Sequence, residues 1–508
     1  MAIQQKKDQL RPSPDFFENG GMDGTTIFIN NSYRKSSSLL SFGAFDPSNE
    51  QFLCNVSCGD ESDVNEAVDA AELAFAPNSD WRSLDGPGRG KLLNRLADLL
   101  DRDGDQVAAI EAADVGKPVF LARMADVNSA IAVLRAHAAF CISGCGLGGS
   151  ELPLSSSTGV GLCYTRSQPV GVVAGILPFN FPLCGAVSKI APALAAGCTI
   201  VVKPSERCSL SPIYLCSLIT EAGFPPGVVN AVTGDSAVGQ ALVAHSKISK
   251  ISFTGSAAVG KNILKVASDR FARTTLELGG KNPCIICPGS DTDLKEAARI
   301  ACGGNFFNSG QICVGISRVF IHEDSYDEFI ELVKQGAEGR AVGDPFLDGV
   351  DMGPLVDQAQ MERVLSYIEQ GISQGAKLIT GGHRIGTKGY FVAPTVLSDV
   401  TDDNVVVKEE IFGPVMCCQR YSDVEEATRR ANDNSFGLAA VVVSNNIEQA
   451  IEISHTLEAG TVWINTHGVY DPIAPYQGHK ESGLGQEYGM EGLQAYLKRK
   501  TVMIKCRR

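Results

Sequence analysis

The chain has 508 residues, too many for one compact core, which predicts roughly two or three packed units of about 100 to 200 residues each. A net charge of −14 disfavours nucleic acid or an anionic membrane as the main partner. The opening MAIQQKKDQL lacks the apolar stretch of a signal peptide. We therefore expect a cytoplasmic protein whose sixteen cysteines are reduced thiols.

Helical spacing of apolar residues dominates the first part of the chain and predicts helices within residues 63–77, 91–114 and 125–140. From about residue 158, short β-branched runs alternate with helices of about ten residues. The run GVGLCYTRSQPVGVVAGILP predicts strand, turn and strand, and SKIAPALAAGC, TIVVK and SPIYLCSLITEAG predict helix, strand and helix. Such alternation is typical of a parallel sheet covered by helices on both faces.

A second α/β series begins at NPCIICP and continues through SRVFIH to LAAVVVS. Two such units in one chain place the expected cleft between them, where cofactor enzymes hold their chemistry. We find no repeat period and no low-complexity linker, so the units are expected to pack closely.

Two segments compete for a nucleotide phosphate. GCGLGG, residues 144–149, has the Gly-x-Gly-x-x-Gly spacing, but a helix precedes it and no helix follows, so we interpret it as a turn. In KISFTGSAAVGKNILKVA a strand ends at Thr254, a tight turn follows at Gly255 and Ser256, and a helix begins at once. Backbone N–H groups at a helix N-terminus bind pyrophosphate, which favours the second segment.

The stretch TIVVKPSE places a carboxylate at the end of a strand. Glu206 is suited to accept the hydroxyls of an adenosine ribose while Lys203 donates from the other side. Because this carboxylate repels a 2′-phosphate, it favours NAD over NADP. The alternative is that Glu206 stabilises the N-terminus of the next helix.

Seven motifs occur in an order that resembles the aldehyde dehydrogenase superfamily, from about residue 25 to the C-terminus. The resemblance implies the hydrolytic, NAD(P)-dependent branch. The motifs are PFNFP (178–182), KPSE (203–206), FTGSAAVG (253–260), LELGGKNP (276–283), GQIC (310–313), EEIFGPV (409–415) and GHKESGLGQE (478–487).

The resemblance implies an α/β fold with a Rossmann-like parallel-sheet cofactor domain, an α/β catalytic domain and a small β bridging element for oligomerisation. The expected bounds are 1–150 and 170–279 for the NAD-binding domain, 280–478 for the catalytic domain, and 151–169 with 479–508 for the bridging element. LCYTRSQPVG and QAYLKRKTVMIKC look like the strands that pair subunits, and the second has the alternation of an exposed edge strand. We expect a homodimer or homotetramer.

Cys313 matches the family's nucleophile. A thiolate is the most nucleophilic side chain near neutral pH, and its adduct with an aldehyde collapses by hydride transfer to nicotinamide, giving a thioester. The resemblance assigns the oxyanion donor to Asn180, together with the backbone N–H of Cys313. Glu277 matches the base that activates water for hydrolysis, and burial between leucines is expected to raise its pKa. Lys189 matches a lysine of the proton-release path.

The resemblance also assigns residues to the cofactor, with Glu410 on the nicotinamide ribose and Phe412 against the nicotinamide ring. NADP stays an alternative to NAD, and no metal site is expected. The assigned cofactor residues are Ile176, Pro178, Phe179, Lys203, Ser205, Glu206, Gly234, Gly255, Ser256, Val259, Gly260, Glu277, Leu278, Gly279, Glu410 and Phe412.

The substrate side is expected to be roomy and aromatic, which favours a medium or bulky aliphatic or aromatic aldehyde. Small residues stand at two helix positions that are often bulky in the family, and PYQG (475–478) replaces the usual Pro-Phe-Gly-Gly. An aminoaldehyde or a betaine aldehyde is the alternative, although the chain has only two tryptophans. The substrate residues expected here are Phe181, Gly185, Ser188, Tyr470 and Tyr476.

Two other classes remain open. A cysteine esterase would use the same Cys, Asn and Glu, but it would leave the nucleotide motifs unexplained. A catalytically retired scaffold, of the kind found in the eye lens, is disfavoured because Cys313, Glu277 and Asn180 are all present.

Overall fold

The computed structural model describes residues 11–19, 23–144, 147–155, 160–289 and 293–505. The strands, in chain order, are β1 (Ile27–Ile29), β2 (Ser32–Arg34), β3 (Ser41–Asp46), β4 (Gln51–Ser57), β5 (Leu162–Pro169), β6 (Val172–Ile176), β7 (Thr199–Lys203), β8 (Val229–Ala231), β9 (Ile248–Thr254), β10 (Arg273–Glu277), β11 (Asn282–Ile286), β12 (Ile316–His322), β13 (Lys377–Thr380), β14 (Thr395–Ser398), β15 (Val415–Tyr421), β16 (Phe436–Gly437), β17 (Ala439–Val443), β18 (Thr461–Ile464), β19 (His479–Lys480), β20 (Gly483–Leu484) and β21 (Leu497–Ile504).

The α-helices alternate with these strands over most of the chain. They are Pro14–Asn19, Glu61–Phe75, Asp80–Ser83, Gly86–Arg102, Gly104–Val115, Val119–Leu121, Asn128–Ser143, Pro182–Ala196, Leu210–Ala222, Ser236–Ala244, Ala257–Ser268, Leu294–Phe306, Tyr326–Glu338, Gln358–Ser373, Val405–Lys408, Val424–Asn432, Ile447–Thr456 and Gly489–Gln494.

The first sheet has eight strands in the order β2-β1-β8-β7-β6-β9-β10-β20. The five central strands, from β8 to β10, are parallel, while β1, β2 and β20 add antiparallel edges. From β6 the chain builds outward first through β7 and β8, then returns to the other side of β6 with β9 and β10. This reversal makes a topological switch point between β6 and β9, the place where doubly wound sheets bind ligands.

The second sheet has seven strands in the order β13-β14-β15-β12-β11-β17-β18. All neighbours are parallel except β13, which pairs antiparallel with β14 at one edge. Every residue of β6, β7 and β11 is buried, as expected for strands covered on both faces. The predicted class, two α/β units with parallel sheets, is confirmed.

The helical first part of the chain packs against the first sheet unit. The apolar pattern of residues 91–114 forms two helices rather than one, because Asp103 leaves helical geometry between them. By length and composition, the helical stretch Val119–Ser143 is apolar enough to cross a membrane. It packs against the helices Gly86–Arg102 and Pro182–Ala196, which is the setting of a core helix.

The turn predicted at GCGLGG begins where a helix ends. Gly144 has a φ of +67° and caps the helix Asn128–Ser143, so this glycine closes a helix instead of opening one. Cys145 and Gly146 lie outside the described residues.

The two strands expected to bridge subunits pair with each other. β5 and β21 form a two-stranded antiparallel sheet in which Leu162 faces Ile504 and Pro169 faces Leu497. The segment 479–508, expected to form part of the bridging element, does not lie wholly in this small sheet. Its strand β20 pairs with β10 at the edge of the first sheet. Among the described residues of that segment, only Leu497–Ile504 lies in the small sheet. The pairing of residues 483–484 depends on packing and leaves no local sequence pattern that would predict it.

Candidate active site

Cys313 lies in a tight loop between the helix Leu294–Phe306 and β12. Three successive residues before it, Asn308, Ser309 and Gly310, have φ values of 49°, 56° and 71°. Only glycine fits at Gly310, since a Cβ there would lie 2.1 Å from the carbonyl oxygen of Gly413. The loop is thereby pressed against the EEIFGPV segment.

The backbone on both sides of Cys313 is fixed by buried amide side chains. The Gln311 side-chain oxygen accepts from the backbone N–H of Val356 at 3.0 Å, and its NH2 group donates to the Asn308 carbonyl at 3.3 Å. The Cys313 carbonyl accepts from Asn282 Nδ2 at 2.8 Å. Asn282 begins β11, so the second sheet anchors the loop directly.

Asn180 brings the first sheet unit to the same loop. It follows β6, and its Nδ2 donates to the Gln311 carbonyl at 2.8 Å. Its own carbonyl accepts from Lys117 Nζ at 3.2 Å. Because a primary amide has two N–H groups, one of them stays available for a substrate oxyanion.

Lys117 is a residue that the sequence did not single out. Its ammonium pairs with Asp126 at 2.7 Å, both side chains fully buried, and lies 3.9 Å from the ring centroid of Phe181. Since Lys117 also donates to the Asn180 backbone carbonyl, this ion pair fixes the segment that carries Asn180. No local sequence pattern marks Lys117, because its structural role depends on a contact with Asn180, more than sixty residues away.

Glu277 is the last residue of β10 and is buried. Burial, and next the charge of Glu487, raise the pKa of Glu277 to about 8. The Tyr476 hydroxyl lies 3.4 Å from Glu277 Oε1 and 3.9 Å from Cys313 Sγ. Burial and then the Glu277 carboxyl raise the pKa of the Cys313 thiol well above its usual range.

Lys189 lies on the helix Pro182–Ala196 and is fully buried. Its ammonium donates to Thr254 Oγ1 and to Glu487 Oε1, each at 2.8 Å. Glu487 is a second residue that sequence reasoning missed, although it lies within the GHKESGLGQE motif. The ammonium and this carboxylate form a polar pair behind Glu277.

The expected cofactor residues collect at the carboxyl ends of the first sheet's strands. Ile176 ends β6, with Pro178 and Phe179 just beyond it, and Lys203 ends β7. Lys203 Nζ lies 2.8 Å from Glu206 Oε2, and the Glu206 side chain is 48% exposed.

Glu206 lies in a turn in which Ser205 pairs with Cys208, before the helix that begins at Leu210. Glu206 therefore precedes that helix and does not lie in its first turn. The alternative role, a charge that stabilises the helix N-terminus, loses its basis because the effect fades beyond the first turn.

The second phosphate candidate has the expected strand, turn and helix. Ser256 caps the helix Ala257–Ser268, and its hydroxyl accepts from the backbone N–H of Val259 at 3.4 Å. A Cβ at Gly260 would lie 2.7 Å from Leu278, so glycine is needed for that close packing. Gly255 donates its backbone N–H to the Glu277 carbonyl at 3.0 Å, and Gly234 has a φ of +151°.

Glu410 and Phe412 reach the first sheet unit from the second. Glu410 Oε1 accepts the backbone N–H of Gly280 at 2.9 Å, and a Cβ on Gly279 would collide with the same carboxylate at 2.4 Å. Burial raises the pKa of Glu410 to about 7. The Phe412 ring lies 5.6 Å from that of Phe179, centroid to centroid and edge to face.

An aromatic cluster of Trp463, Tyr470, Tyr476 and Tyr488 borders the thiol. Centroid distances between neighbouring rings are 5.7, 5.8 and 6.3 Å, all edge to face. Tyr488, which the sequence did not suggest, also contacts Cys184, one helical turn beyond Phe181. The aromatic cluster beside the thiol therefore contains two residues, Trp463 and Tyr488, beyond the tyrosines that the sequence suggested.

Gly185 and Ser188 do not widen this region in the way expected from their size. A side chain at Gly185 would point at Pro178, since its Cβ would lie 2.9 Å from Pro178 Cδ. The Ser188 hydroxyl turns back to donate to the Gly185 carbonyl at 3.0 Å. Helical spacing alone could not show that the segment with Pro178, just before the helix Pro182–Ala196, packs over the helix face that carries Gly185.

Comparison with known proteins agrees with this geometry. Residues 33–502 match the model of the aldehyde dehydrogenase family. An aldehyde dehydrogenase of Enchytraeus buchholzi is 46% identical over 483 residues, 95% of this chain and 96% of that protein. Retinaldehyde dehydrogenase 3 of Homo sapiens is 45% identical over 483 residues, 95% of this chain and 93% of that protein.

A solved structure gives the same result for the fold. The NAD+ complex of aldehyde dehydrogenase from Bacillus cereus has a TM-score of 0.92 at 40% identity, covering 96% of this chain and 97% of that one. The chain therefore belongs to the aldehyde dehydrogenase family. It is an enzyme, an oxidoreductase that acts on the aldehyde group.

Proposed function

We propose that the chain oxidises an aldehyde to a carboxylic acid with NAD, through a thiohemiacetal and a thioester on Cys313. The observation that supports this most is that Glu277 and Asn180, from two other segments of the chain, lie beside the half-buried thiol of Cys313. The resemblance assigns a role to each of the three groups, and burial raises the pKa of the carboxyl among them.

The side chains divide the reaction between them. Cys313 attacks the aldehyde carbon. The aldehyde oxygen then becomes negatively charged and accepts hydrogen bonds from the free side-chain N–H of Asn180 and from the backbone N–H of Cys313. Glu277 then removes a proton from the water that cleaves the thioester. Lys189 and Glu487 continue the polar path behind Glu277 and provide a route for that proton.

The nucleotide residues fit NAD. The capped N-terminus of the helix Ala257–Ser268 offers backbone N–H groups to a pyrophosphate, while Lys203 and Glu206 stand at the end of β7 for a ribose. Although burial raises the pKa of Glu206, Lys203 outweighs that effect and lowers it, so the group is a carboxylate that disfavours a 2′-phosphate. When bound, NAD would supply the acceptor for the hydride that leaves the thiohemiacetal carbon.

The substrate we propose is a medium or bulky aliphatic or aromatic aldehyde. Support comes from the aromatic cluster beside the thiol and from relatives named for retinaldehyde. Within the described part of the chain, the cluster contains one tryptophan, Trp463, whereas the quaternary ammonium group of a betaine aldehyde favours several.

At the level of the assembly, we propose a homodimer or homotetramer that forms through the β5–β21 sheet. The domain division follows the two large sheets, with the stretch around β20 assigned to the NAD-binding unit. The cytoplasmic location stays a prediction, since relatives include an aldehyde dehydrogenase named mitochondrial.

The first experiment measures NADH formation by the purified protein with aliphatic, aromatic and amino aldehydes, each with NAD and with NADP. Cys313→Ala should lower turnover by about a thousandfold or more, because it removes the nucleophile. Cys58→Ala is the matched control, since Cys58 is also a half-buried free cysteine. Turnover by Cys313→Ala near the wild-type rate would contradict the mechanism.

A further inference from the structure

Tyr476 stands in the PYQG segment at the position where the usual family motif has phenylalanine, so its hydroxyl is an addition to that motif. The residue is buried, and its backbone is fixed by a pair of hydrogen bonds with Glu487, each 2.8 Å long. The chain thus holds a phenol in a rigid place within the active site.

The hydroxyl of Tyr476 touches both reacting side chains. It lies 3.9 Å from Cys313 Sγ and 3.4 Å from Glu277 Oε1. Edge-to-face packing against Tyr470 and Tyr488 fixes the ring and directs the hydroxyl at the pair. Since a phenol donates one hydrogen bond and also accepts, it can accept from one partner while it donates to the other.

We propose that Tyr476 is an additional catalytic residue, whose hydroxyl donates a hydrogen bond to the Cys313 thiolate and relays the thiol proton to Glu277. The S–H bond of Cys313 breaks as its proton moves to the Tyr476 oxygen, and the phenolic proton moves to Glu277 Oε1. The products are a thiolate and a carboxylic acid, and no electrons change hands between residues. The inference rests on the proposed roles of Cys313 and Glu277.

The hydrogen bond from Tyr476 opposes the other influences on the thiol. Burial and the neighbouring carboxyls raise the pKa of Cys313, whereas the Tyr476 hydroxyl lowers it. Removing only this hydroxyl leaves every other charged group in place. The titratable and charged groups that face the thiol and its base are Glu277, Glu410, Tyr470, Tyr476, Glu487 and Lys189.

The test is Tyr476→Phe, which keeps the ring and removes the hydroxyl. The rate of Cys313 alkylation by iodoacetamide is measured against pH in NAD-free protein, and the pre-steady-state burst of NADH is measured with substrate. We expect the alkylation midpoint to rise by about one pH unit and the burst to slow by about tenfold, with KM little changed. Tyr488→Phe is the matched control, because its ring belongs to the same cluster while its hydroxyl contacts Cys184.

Three results would overturn the inference. If the alkylation profile of Tyr476→Phe is unchanged, the hydroxyl does not relay the thiol proton. If Tyr476→Phe and Tyr488→Phe shift the alkylation midpoint equally, the effect is one of packing. If only KM rises in Tyr476→Phe, the hydroxyl serves substrate binding. Cys313→Ala is measured in parallel. If it is inactive while Tyr476→Phe behaves as wild type, the inference fails and the proposed function stands; if it is active, the proposed function itself fails.

Discussion

A buried carboxyl group sets the expected pH dependence at the scale of single residues. Burial and the charge of Glu487 raise the pKa of Glu277 to about 8, well above the usual range for glutamate. In the proposed mechanism the base that activates water is the Glu277 carboxylate, whose fraction grows as pH rises through the pKa. Thioester hydrolysis should therefore accelerate with pH up to about 8 and level off above it, which a steady-state pH profile under thioester-limited conditions would reveal.

Replacing Glu277 separates the two halves of the reaction. Glu277→Gln should slow thioester hydrolysis by about 100-fold or more, because general-base catalysis contributes that much. It should leave a single-turnover burst of NADH that is slowed by no more than about tenfold, the effect expected when the Tyr476 relay loses its proton acceptor. Rapid mixing followed by steady-state measurement shows both phases. If burst and steady state fall by the same factor, Glu277 acts only before the thioester forms and its assigned role in hydrolysis is wrong.

At the scale of elements, the loop that carries Cys313 owes its shape to three residues in left-handed geometry and to the segment that contains Gly413. Gly310 combines a positive φ of 71° with a close approach to the Gly413 carbonyl. The left-handed conformation alone costs an alanine about 1 to 2 kcal/mol. The collision adds to that cost, since backbone atoms have to move apart.

Gly310→Ala should consequently lose most activity and more than about 2 kcal/mol of unfolding free energy. The matched control is Gly349→Ala, because Gly349 has a φ of 79° and no atom near its missing Cβ. Urea unfolding of both variants measures the difference. Equal losses in the two would show that conformation alone, and not the contact with Gly413, makes this glycine necessary.

At the scale of the whole molecule, the site is assembled from both large sheets. Asn180 and Glu277 come from the first, while Asn282 and the Glu410 segment come from the second. The small β5–β21 sheet lies apart from both and presents exposed apolar side chains, Met503 at 61% and Ile504 at 42% of their surface. Exposed strand edges of this kind are suited to pairing with another chain.

The double change Met503→Asp and Ile504→Asp should therefore reduce the assembly to single chains of 53.8 kDa. Two like charges on a surface that becomes buried oppose association. Light scattering after size exclusion gives the mass, and Ile447→Asp, at another exposed isoleucine, is the control. A wild-type protein that is already a single chain, or a double variant with the wild-type mass, would contradict the proposed assembly.

Much of the architecture and of the reactive centre was predictable from consecutive residues. Alternating β-branched runs and amphipathic helices are local patterns, so both α/β units followed from them. The leucines on either side of Glu277 likewise predicted its burial and hence its raised pKa. Cys313 and Asn180 could be proposed as site residues because they stand in short motifs.

What only the tertiary structure decided depends on contacts between distant residues. The Tyr476 hydroxyl meets Cys313 and Glu277 across 163 and 199 positions, and Lys189 meets Glu487 across 298. The filling of the space beside Gly185 by Pro178 also depends on how a loop folds back. The sequence by itself determined the two α/β units and marked the groups proposed to react, because both are coded locally; packing alone decided what surrounds those groups, because no local pattern records which distant side chain fills a given space.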